Sequence, residues 1–180
     1  MTALPEGLTA GTWNLDPAHT DATFTVRHAG ISKVRGQFTT VSGSLQVGDS
    51  LEDLRFESVL EVASISTGNA DRDNHLKSED FFGAAEHPEI RFVSTKVEGD
   101  TLHGDLTIKG VTKPVALDFS YEGATTDPFG VFRAGFSGET KISRKEFGLT
   151  WNAALETGGV LVSDEVRISI DAQFVAPTAA

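Results

Sequence analysis

The chain has 180 residues and a formal net charge of −11, from 15 basic and 26 acidic residues. This length suits one domain whose interior is large enough for a closed sheet. The acidic excess argues against nucleic acid and anionic membrane surfaces as partners, because both would be repelled. Cysteine is absent, which excludes disulfides, thiolate catalysis and cysteine-based zinc sites.

The ends of the chain set the predicted domain bounds. Residues 1–10 are read as a flexible leader that lacks the basic and apolar segments of a secretory signal. No apolar run approaches the roughly 20 residues that a membrane-spanning helix needs. We therefore expect one domain over residues 11–176 and a loose tail over 177–180, in a cytoplasmic protein without a membrane span.

The N-terminal part predicts extended segments. A first strand is expected over residues 11–16, and residues 23–28 alternate so that Phe24, Val26 and His28 share one face. Residues 29–36 are expected to form a turn or a short helical link. Residues 37–47 are again extended, and their apolar phase shifts between Phe38 and Val41, which indicates a bulge.

Residues 69–85 form the one long interruption of the strand pattern, and they predict a helical flap over the mouth of a barrel. The side-chain oxygen of Asn69 or Asp71 can cap the helix by accepting a backbone N–H of the first turn. Leu76 and Phe81 give the flap apolar surface to bury. Pro88 is expected to end it, because proline disfavours the helical conformation of the residue before it.

The rest of the chain repeats one pattern, in which apolar and polar side chains alternate between turn signals. The segments are 54–62, 89–97, 102–108, 115–121, 134–142 and 166–174. Together with the N-terminal segments they predict about eight or nine strands, each with one apolar face. A buried parallel sheet would instead show continuous apolar runs, so an all-β antiparallel barrel or sandwich is favoured.

Small residues occur among the large apolar ones on the predicted inward face. They either fill the taper of a closed barrel or leave room for a ligand, as in eight-stranded barrels that hold one small molecule. The pattern alone leaves both interpretations open for Ser58, Gly104, Ala134, Gly138 and Thr140.

Several separate blocks of sequence resemble the YceI-like family. They are residues 16–20 with 24–28 and 34–38, residues 72–76 with 81–82 and 88–92, residues 104–115, and residues 144–151. Two departures are small, because Thr20 stands where serine is usual and Glu146 where aspartate is common. The resemblance covers roughly Gly11 to Val175. It implies a lipocalin-like antiparallel barrel whose elongated cavity binds polyisoprenoids, such as isoprenyl diphosphates or isoprenoid quinones. Many family members are periplasmic.

A ligand-binding tunnel is predicted on this basis, with inward side chains along the strands and one tryptophan from the last sequence block. Apolar contacts would supply the affinity, and polar groups would set the orientation of the ligand. The predicted tunnel residues are Phe24, Val26, Phe56, Ser58, Leu60, Phe92, Phe119, Phe136, Gly138, Trp151 and Ile168.

Polar candidates for the ligand head group have structural alternatives. His28 can donate a hydrogen bond to a phosphate or carbonyl, or it is a core histidine satisfied by a neighbour such as Ser58. Arg72 and His75 can clamp a head group at the mouth, or the flanking aspartates hold Arg72 in a local ion-pair set.

Arg144 offers a guanidinium fork that suits phosphate, or it pairs with Glu146 in an exposed loop. A metal site is not predicted, because the five histidines are scattered. Asp71, His75 and Glu79 at helical spacing are the only local candidate for metal ligands.

These observations predict a protein that binds or carries a long apolar ligand without catalysis and without a cofactor other than the bound lipid. A neutral head group is favoured, because the −11 charge opposes an anion. The alternatives are a small isomerase or hydrolase with His28 as general base, and a stress-response interaction module with a filled barrel. A homodimer is compatible with the sequence.

Overall fold

The computed structural model describes residues 2–153 and 161–177. Within these residues the chain forms one α-helix, α1, and strands β1 to β11. Helix α1 spans Ala70–Lys77. In chain order the strands span Gly11–Leu15, Asp21–His28, Ser32–Phe38, Val41–Val47, Arg55–Glu61, Ile65–Ser66, Glu89–Glu98, Thr101–Ile108, Val111–Thr126, Phe132–Ser143 and Val162–Val175.

The strands close into one antiparallel barrel. It has eight strand positions, which we call staves, because three of the positions are each occupied by two short strands that lie end to end. Strands β1 and β2 pair in succession with β11. On the other side, β1 pairs with β4 and β2 pairs with β3. In turn, β4 pairs with β5 and β3 pairs with β6. The other five staves, β7 to β11, are single strands in chain order. The predicted all-β, lipocalin-like barrel of about eight strands is confirmed.

The three broken staves bend where their strands meet. A 3-10 turn at Pro17–His19 separates β1 from β2, and another at Val62–Ser64 separates β5 from β6. The predicted irregularity between Phe38 and Val41 is a full interruption between β3 and β4, at Thr39 and Thr40, rather than a bulge.

The turn predicted over residues 29–36 is present at residues 29–31 only, and its extension to residue 36 is wrong, because Ser32–Phe38 is strand β3. Its inward face contains Val34 and then Gly36, which weakens the apolar alternation. Gly36 is needed because the ring of Phe24 lies across it, and a Cβ at position 36 would collide with that ring.

The flap is present where it was predicted. Helix α1 begins after Asn69, whose Oδ1 accepts the backbone N–H of Arg72 at 3.0 Å. The helix ends at Lys77, well before Pro88, because the backbone N–H of Ser78 turns back to His75 O at 3.1 Å. Residues 78–87 continue the flap in turns until β7 begins.

The N-terminal segment, residues 2–10, lies against the barrel. Leu8 is buried in the core. Trp13 Nε1 donates to Thr9 O at 2.9 Å, and Tyr121 Oη donates to Glu6 O at 2.7 Å. This segment therefore covers the end of the barrel opposite the flap. Of the predicted tail, only Pro177 lies among the described residues.

Two apolar clusters divide the interior. The floor cluster, next to the N-terminal segment, is built around Phe56, Phe119, Phe136 and Phe174. The mouth cluster, beneath the flap, includes Phe38, Phe81, Ile90, Phe147 and Leu149. We call the corresponding parts of the barrel the floor half and the mouth half.

An ion-pair clamp fastens the first strand break to the barrel wall. Arg133 donates to Asp16 Oδ2 at 2.6 Å and to Asp127 Oδ2 at 2.8 Å. The hydrogen bond from Arg133 lowers the pKa of Asp16. The pKa of Asp127 is lowered first by the backbone N–H of Val131, then by that of Phe129, and also by Arg133. No helix in the described part of the chain is long and apolar enough to cross a membrane.

A candidate ligand cavity in the mouth half of the barrel

Three adjoining cavities follow the barrel axis from the flap to the floor. The mouth cavity has a volume of about 370 Å³, the central cavity about 150 Å³ and the floor cavity about 70 Å³. Phe24 and Val26 line both the mouth and central cavities, and Leu60 and Phe92 line both the central and floor cavities. The shared lining residues place the three cavities next to one another along the barrel.

The central cavity has an almost wholly apolar wall. Of its 25 lining residues only four are polar, namely Thr23, Ser58, Thr140 and Arg144. Thr23 Oγ1 donates to Ser169 O at 3.2 Å and Thr140 Oγ1 donates to Ala116 O at 2.9 Å, so both hydroxyls have partners in the wall. A cavity of this kind stays dry, because water inside it would lack polar partners.

Two of the small inward residues, Gly104 and Gly138, differ in what occupies the space beside them. The space beside Gly104 is taken by the ring of Phe92, with which a Cβ at position 104 would collide. At Gly138, by contrast, a Cβ would stand 3.1 Å from Leu117 Cδ2 and beside the floor cavity. Gly104 therefore accommodates a ring of the wall, whereas Gly138 borders open space.

The predicted tunnel residues Phe56, Phe119 and Phe136 line only the floor cavity. The Phe56 ring lies 5.7 Å from that of Phe119 and 5.3 Å from that of Phe136, edge to face in both pairs. Such geometry is favourable for aromatic pairs. These rings close the bottom of the site instead of forming an open tunnel.

The predicted roles of Arg144 both miss its actual environment, because it is neither a free fork for phosphate nor an exposed partner of Glu146. Arg144 is buried, with 4% of its surface exposed. Its Nε donates to Ser163 O at 2.8 Å, and its Nη1 donates to Leu149 O at 2.6 Å and Trp151 O at 2.9 Å. Its Nη2 donates to Val162 O at 3.1 Å. Four of its five N–H groups therefore form hydrogen bonds.

This arrangement makes Arg144 a tie between the segment 149–151 and strand β11. Burial lowers the pKa of its guanidinium, while the nearby charge of Asp164 raises it. Asp164 accepts from Ser143 Oγ at 2.6 Å and from Lys145 N at 3.1 Å. These bonds, the one from Ser143 first, lower the pKa of Asp164.

His28 lies at the mouth and not deep in the barrel. It is the last residue of β2, pairs with Ser32 and Val162, and lines the mouth cavity. Ser58, its suggested neighbour, lines the central and floor cavities. The alternation placed the side chain of His28 on the correct face, but it did not give the depth of that position along the barrel.

Arg72, His75 and Trp151 meet at the mouth cavity. Arg72 Nε donates to Thr67 Oγ1 at 2.8 Å, and its Nη2 donates to Thr67 O at 2.8 Å. The alternative of an ion-pair set between Arg72 and its flanking aspartates is not what the described residues show, because Asp73 accepts from Thr67 Oγ1 at 2.6 Å and not from Arg72. Arg72 therefore ties the start of α1 to the end of β6.

Three aromatic rings hold the flap against the segment after the last 3-10 turn. The His75 ring lies 4.7 Å from Trp151 and 5.1 Å from Phe81, both edge to face, and Trp151 lies 5.4 Å from Phe81. His75 Nε2 also lies 2.9 Å from Asp80 Oδ2. We call His75, Phe81 and Trp151 the flap latch.

Several wall residues of the central cavity were not predicted as site residues. Val166 and Ile170 follow from continuing the alternation through Ile168 in both directions, so the sequence contained their signal. Phe147 and Leu149 lie around a 3-10 turn at Arg144–Phe147, where no strand or helix period applies. Their placement depends on the tie made by Arg144.

No group of three or more histidine, aspartate or glutamate side chains converges on a metal position within residues 2–153 and 161–177. Asp71, His75 and Glu79 are not such a group. The site described by these residues is an apolar cavity with polar groups at its mouth.

Comparison with known proteins identifies relatives over most of the chain. Residues 13–174 match the YceI-like domain. A UPF0312 protein of Staphylococcus epidermidis is 36% identical over 165 residues, covering 90% of this chain and 96% of that protein. A UPF0312 protein of Staphylococcus aureus has the same identity and coverage.

Solved structures share the fold. BcnA of Burkholderia cenocepacia has a TM-score of 0.74 at 21% identity, covering 88% of this chain and 98% of that one. The Campylobacter jejuni YceI protein has a TM-score of 0.70 at 28% identity, covering 84% and 90%. A polyisoprenoid binding domain from Saccharophagus degradans has a TM-score of 0.72 at 14% identity, covering 92% and 98%.

Proposed function

The chain belongs to the YceI-like family, and from this premise we propose that it binds or carries a long apolar ligand, a polyisoprenoid, without chemical conversion. The observation that carries the proposal is the apolar wall of the central cavity, which adjoins the mouth cavity on one side and the floor phenylalanines on the other. The polyisoprenoid named for the Saccharophagus degradans domain fits this shape.

Burial of the ligand's hydrocarbon chain supplies the binding affinity. Each 100 Å² of apolar ligand surface removed from water contributes about 2.5 kcal/mol. Because the apolar cavity is already formed and dry before the ligand enters, reorganisation of the protein costs little binding free energy. The far end of the ligand's hydrocarbon chain would lie in the floor cavity, between Gly138 and the ring of Phe119.

A neutral head group, such as a quinone, suits the mouth better than a diphosphate. Arg144 already donates four hydrogen bonds to backbone carbonyls, which leaves it little capacity for an anion. Arg72 is held by Thr67. His28 lines the mouth cavity and can donate to a carbonyl there.

The test begins with protein purified without detergent and examined by native mass spectrometry, followed by identification of any extracted lipid. Ile168→Trp places a large ring in the central cavity, and Glu165→Trp on the same strand is the matched control, because Glu165 is exposed. We expect at least about a tenfold loss of isoprenoid quinone binding for Ile168→Trp and no loss for Glu165→Trp. Equal binding by the two variants would overturn the proposal.

Chain length gives a second test within the same cavity. Gly138→Leu would fill the floor cavity, so long isoprenoid chains should lose affinity while short ones keep it. A loss that is the same for short and long chains would place the chain end elsewhere. His28→Phe should weaken a quinone more than an isoprenyl diphosphate, and the reverse order would overturn the neutral head group.

A further inference from the structure

The outer surface beside the mouth carries a concentration of positive charge that the net charge conceals. Arg27 on β2, Lys33 and Arg35 on β3, and Arg167 on β11 are all exposed. Within the described residues none of the four forms an ion pair. We call these four residues the basic lip.

The register of the strands brings the basic lip together. Arg27 lies directly opposite Lys33, and Thr25 lies between Arg35 and Arg167 on the next rung. Directly opposed residues project to the same face, and like charges at such positions are destabilising. A chain with 26 acidic residues thus places four cations on neighbouring rungs of its outer face. The one carboxylate beside them on that face of β11, Glu165, is paired with a fifth cation, Lys141, at 3.4 Å, so the surface keeps the excess of positive charge that an anionic partner would require.

Charge changes sign along the same wall. Toward the floor, Asp21 lies opposite Asp171 on β2 and β11. Arg167 is four residues from Asp171, about 13 Å along a strand. The Debye length at physiological ionic strength is about 8 Å. The basic lip therefore presents its own positive field to a partner at the mouth, although the whole molecule is acidic.

An apolar side chain stands at the tip of the hairpin that carries the lip. Ile31, between β2 and β3, is 86% exposed. The backbone before it is left-handed at Ala29, with φ of 53°, and at Gly30, with φ of 70°. The Ala29 N–H donates to Leu161 O at 2.6 Å, which fixes the tip against β11.

We propose that the basic lip and Ile31 dock the mouth of the barrel onto an anionic lipid surface. Cations near such a surface are attracted to acidic lipid head groups, and one apolar side chain can enter the interface between them. Across the mouth cavity the flap carries exposed Asp71, Glu79 and Asp80. The barrel therefore docks tilted, with the hairpin against the lipid and the flap away from it.

This docking rests on the placement of charge and not on the proposed ligand. The tilt nevertheless places the mouth cavity, lined by Arg27 and His28, beside the lipid surface. An apolar ligand could then pass between membrane and barrel without crossing bulk water.

Vesicle flotation of the full-length protein tests the proposal. The probes are phosphatidylcholine vesicles with and without about 30% phosphatidylglycerol, at low and high salt. The test variant is Arg27→Gln/Lys33→Gln/Arg35→Gln. The matched control is Arg91→Gln/Lys96→Gln/Lys113→Gln, which removes the same charge from exposed residues of β7 and β9 on the opposite wall.

We expect the protein to bind only the anionic vesicles, with binding lost at high salt. The lip variant should lose about tenfold or more in binding, because each cation near the surface contributes severalfold. The control triple variant should bind as the native protein does. Ile31→Ser should weaken binding severalfold, whereas Phe129→Ser, at a floor-end loop residue that is 90% exposed, should not.

Four results would overturn the proposal. They are no binding to anionic vesicles, equal binding to neutral ones, unchanged binding by the lip variant, and an equal loss in the control variant. If polyglutamate bound through the lip while vesicles did not, the partner would be an acidic polypeptide and not a membrane. Circular dichroism of each variant checks that it is folded.

Discussion

The floor half and the mouth half of the barrel are built from the same staves and yet have different interiors. In the floor half, phenylalanines from four strands meet across the axis, and the Phe136 ring lies within 6 Å of the rings of Phe56, Phe119 and Phe174. In the mouth half, the rings of Phe24, Phe38 and Phe82 follow one another at 5.8 and 6.0 Å along neighbouring elements. The floor half is the more densely filled, because its cavity has about 70 Å³ against about 150 Å³ for the central cavity and about 370 Å³ for the mouth cavity.

The difference shows that strand alternation decides which side chains point inward, whereas the reach of those side chains decides whether a cavity remains. On β11 the inward residue is Phe174 at the floor, followed by Ala172, Ile170, Ile168 and Val166 toward the mouth. The three aliphatic side chains nearest the mouth line the central cavity. The filled-barrel alternative thus describes the floor half, with its small cavity, better than the mouth half.

Truncation of a floor ring should have the largest effect. Phe136 is 4% exposed, and we expect Phe136→Ala to lower the free energy of unfolding by about 3–5 kcal/mol, because it leaves a void among packed rings. The matched variant Phe24→Ala, at a half-buried ring on the cavity wall, should cost about half as much. Urea unfolding measures both, and equal losses would contradict the division into two halves.

Arg144→Met tests what holds the wall of the mouth half in place. It removes four hydrogen bonds to backbone carbonyls, of which, among the described residues, only Val162 O has another side-chain donor, Asn152 Nδ2 at 2.6 Å, so we expect a loss of about 3 kcal/mol in the free energy of unfolding. Arg144→Lys keeps the charge but loses the planar fork, and it should recover less than half of that loss. If lysine restored full stability, charge rather than the hydrogen-bond geometry would be the important property.

The flap latch should affect the mouth half alone. Trp151→Ala removes two ring pairs, worth about 1–2 kcal/mol together. Hydrogen exchange should show lower protection of the amides in α1 and unchanged protection in the floor strands. Faster binding and release of an apolar probe should accompany it. A uniform loss of protection over the whole barrel would mean that the two halves open together.

The clamp outside the floor half should give the smallest effect, which depends on pH. The pKa of Asp16 is lowered in the folded protein, first by the bond from Arg133. Its contribution to stability is therefore complete above the unfolded-state pKa of about 3.9 and is lost as the pH falls through the lower folded-state pKa.

Asp16→Asn should lower the urea midpoint at neutral pH and flatten its decline in acid. Asp164→Asn is the corresponding variant in the mouth half, where the pKa is lowered first by Ser143. An acid decline in Asp16→Asn as steep as in the native protein would show that the clamp does not contribute to it.

The sequence alone determined the fold class, the flap and the inward face of most strands. Alternation fixes the face of a strand residue because successive side chains point to opposite sides. The cap at Asn69 could be predicted because it depends only on neighbouring residues. Strand β3 was missed because Gly36 interrupts the apolar pattern, and its need for glycine comes from the ring of Phe24 on another strand.

Depth along the barrel, side-chain partners and charge distribution were decided only by the tertiary structure. His28 and Ser58 were both predicted to be inward, yet register places them at different levels. Arg144 found its partners in carbonyls up to 19 residues away, which no local pattern specifies. The net charge of −11 is a sum, whereas a surface interacts with the charges within a Debye length of it. Strand pairing alone placed Arg27, Lys33 and Arg167 together on that surface.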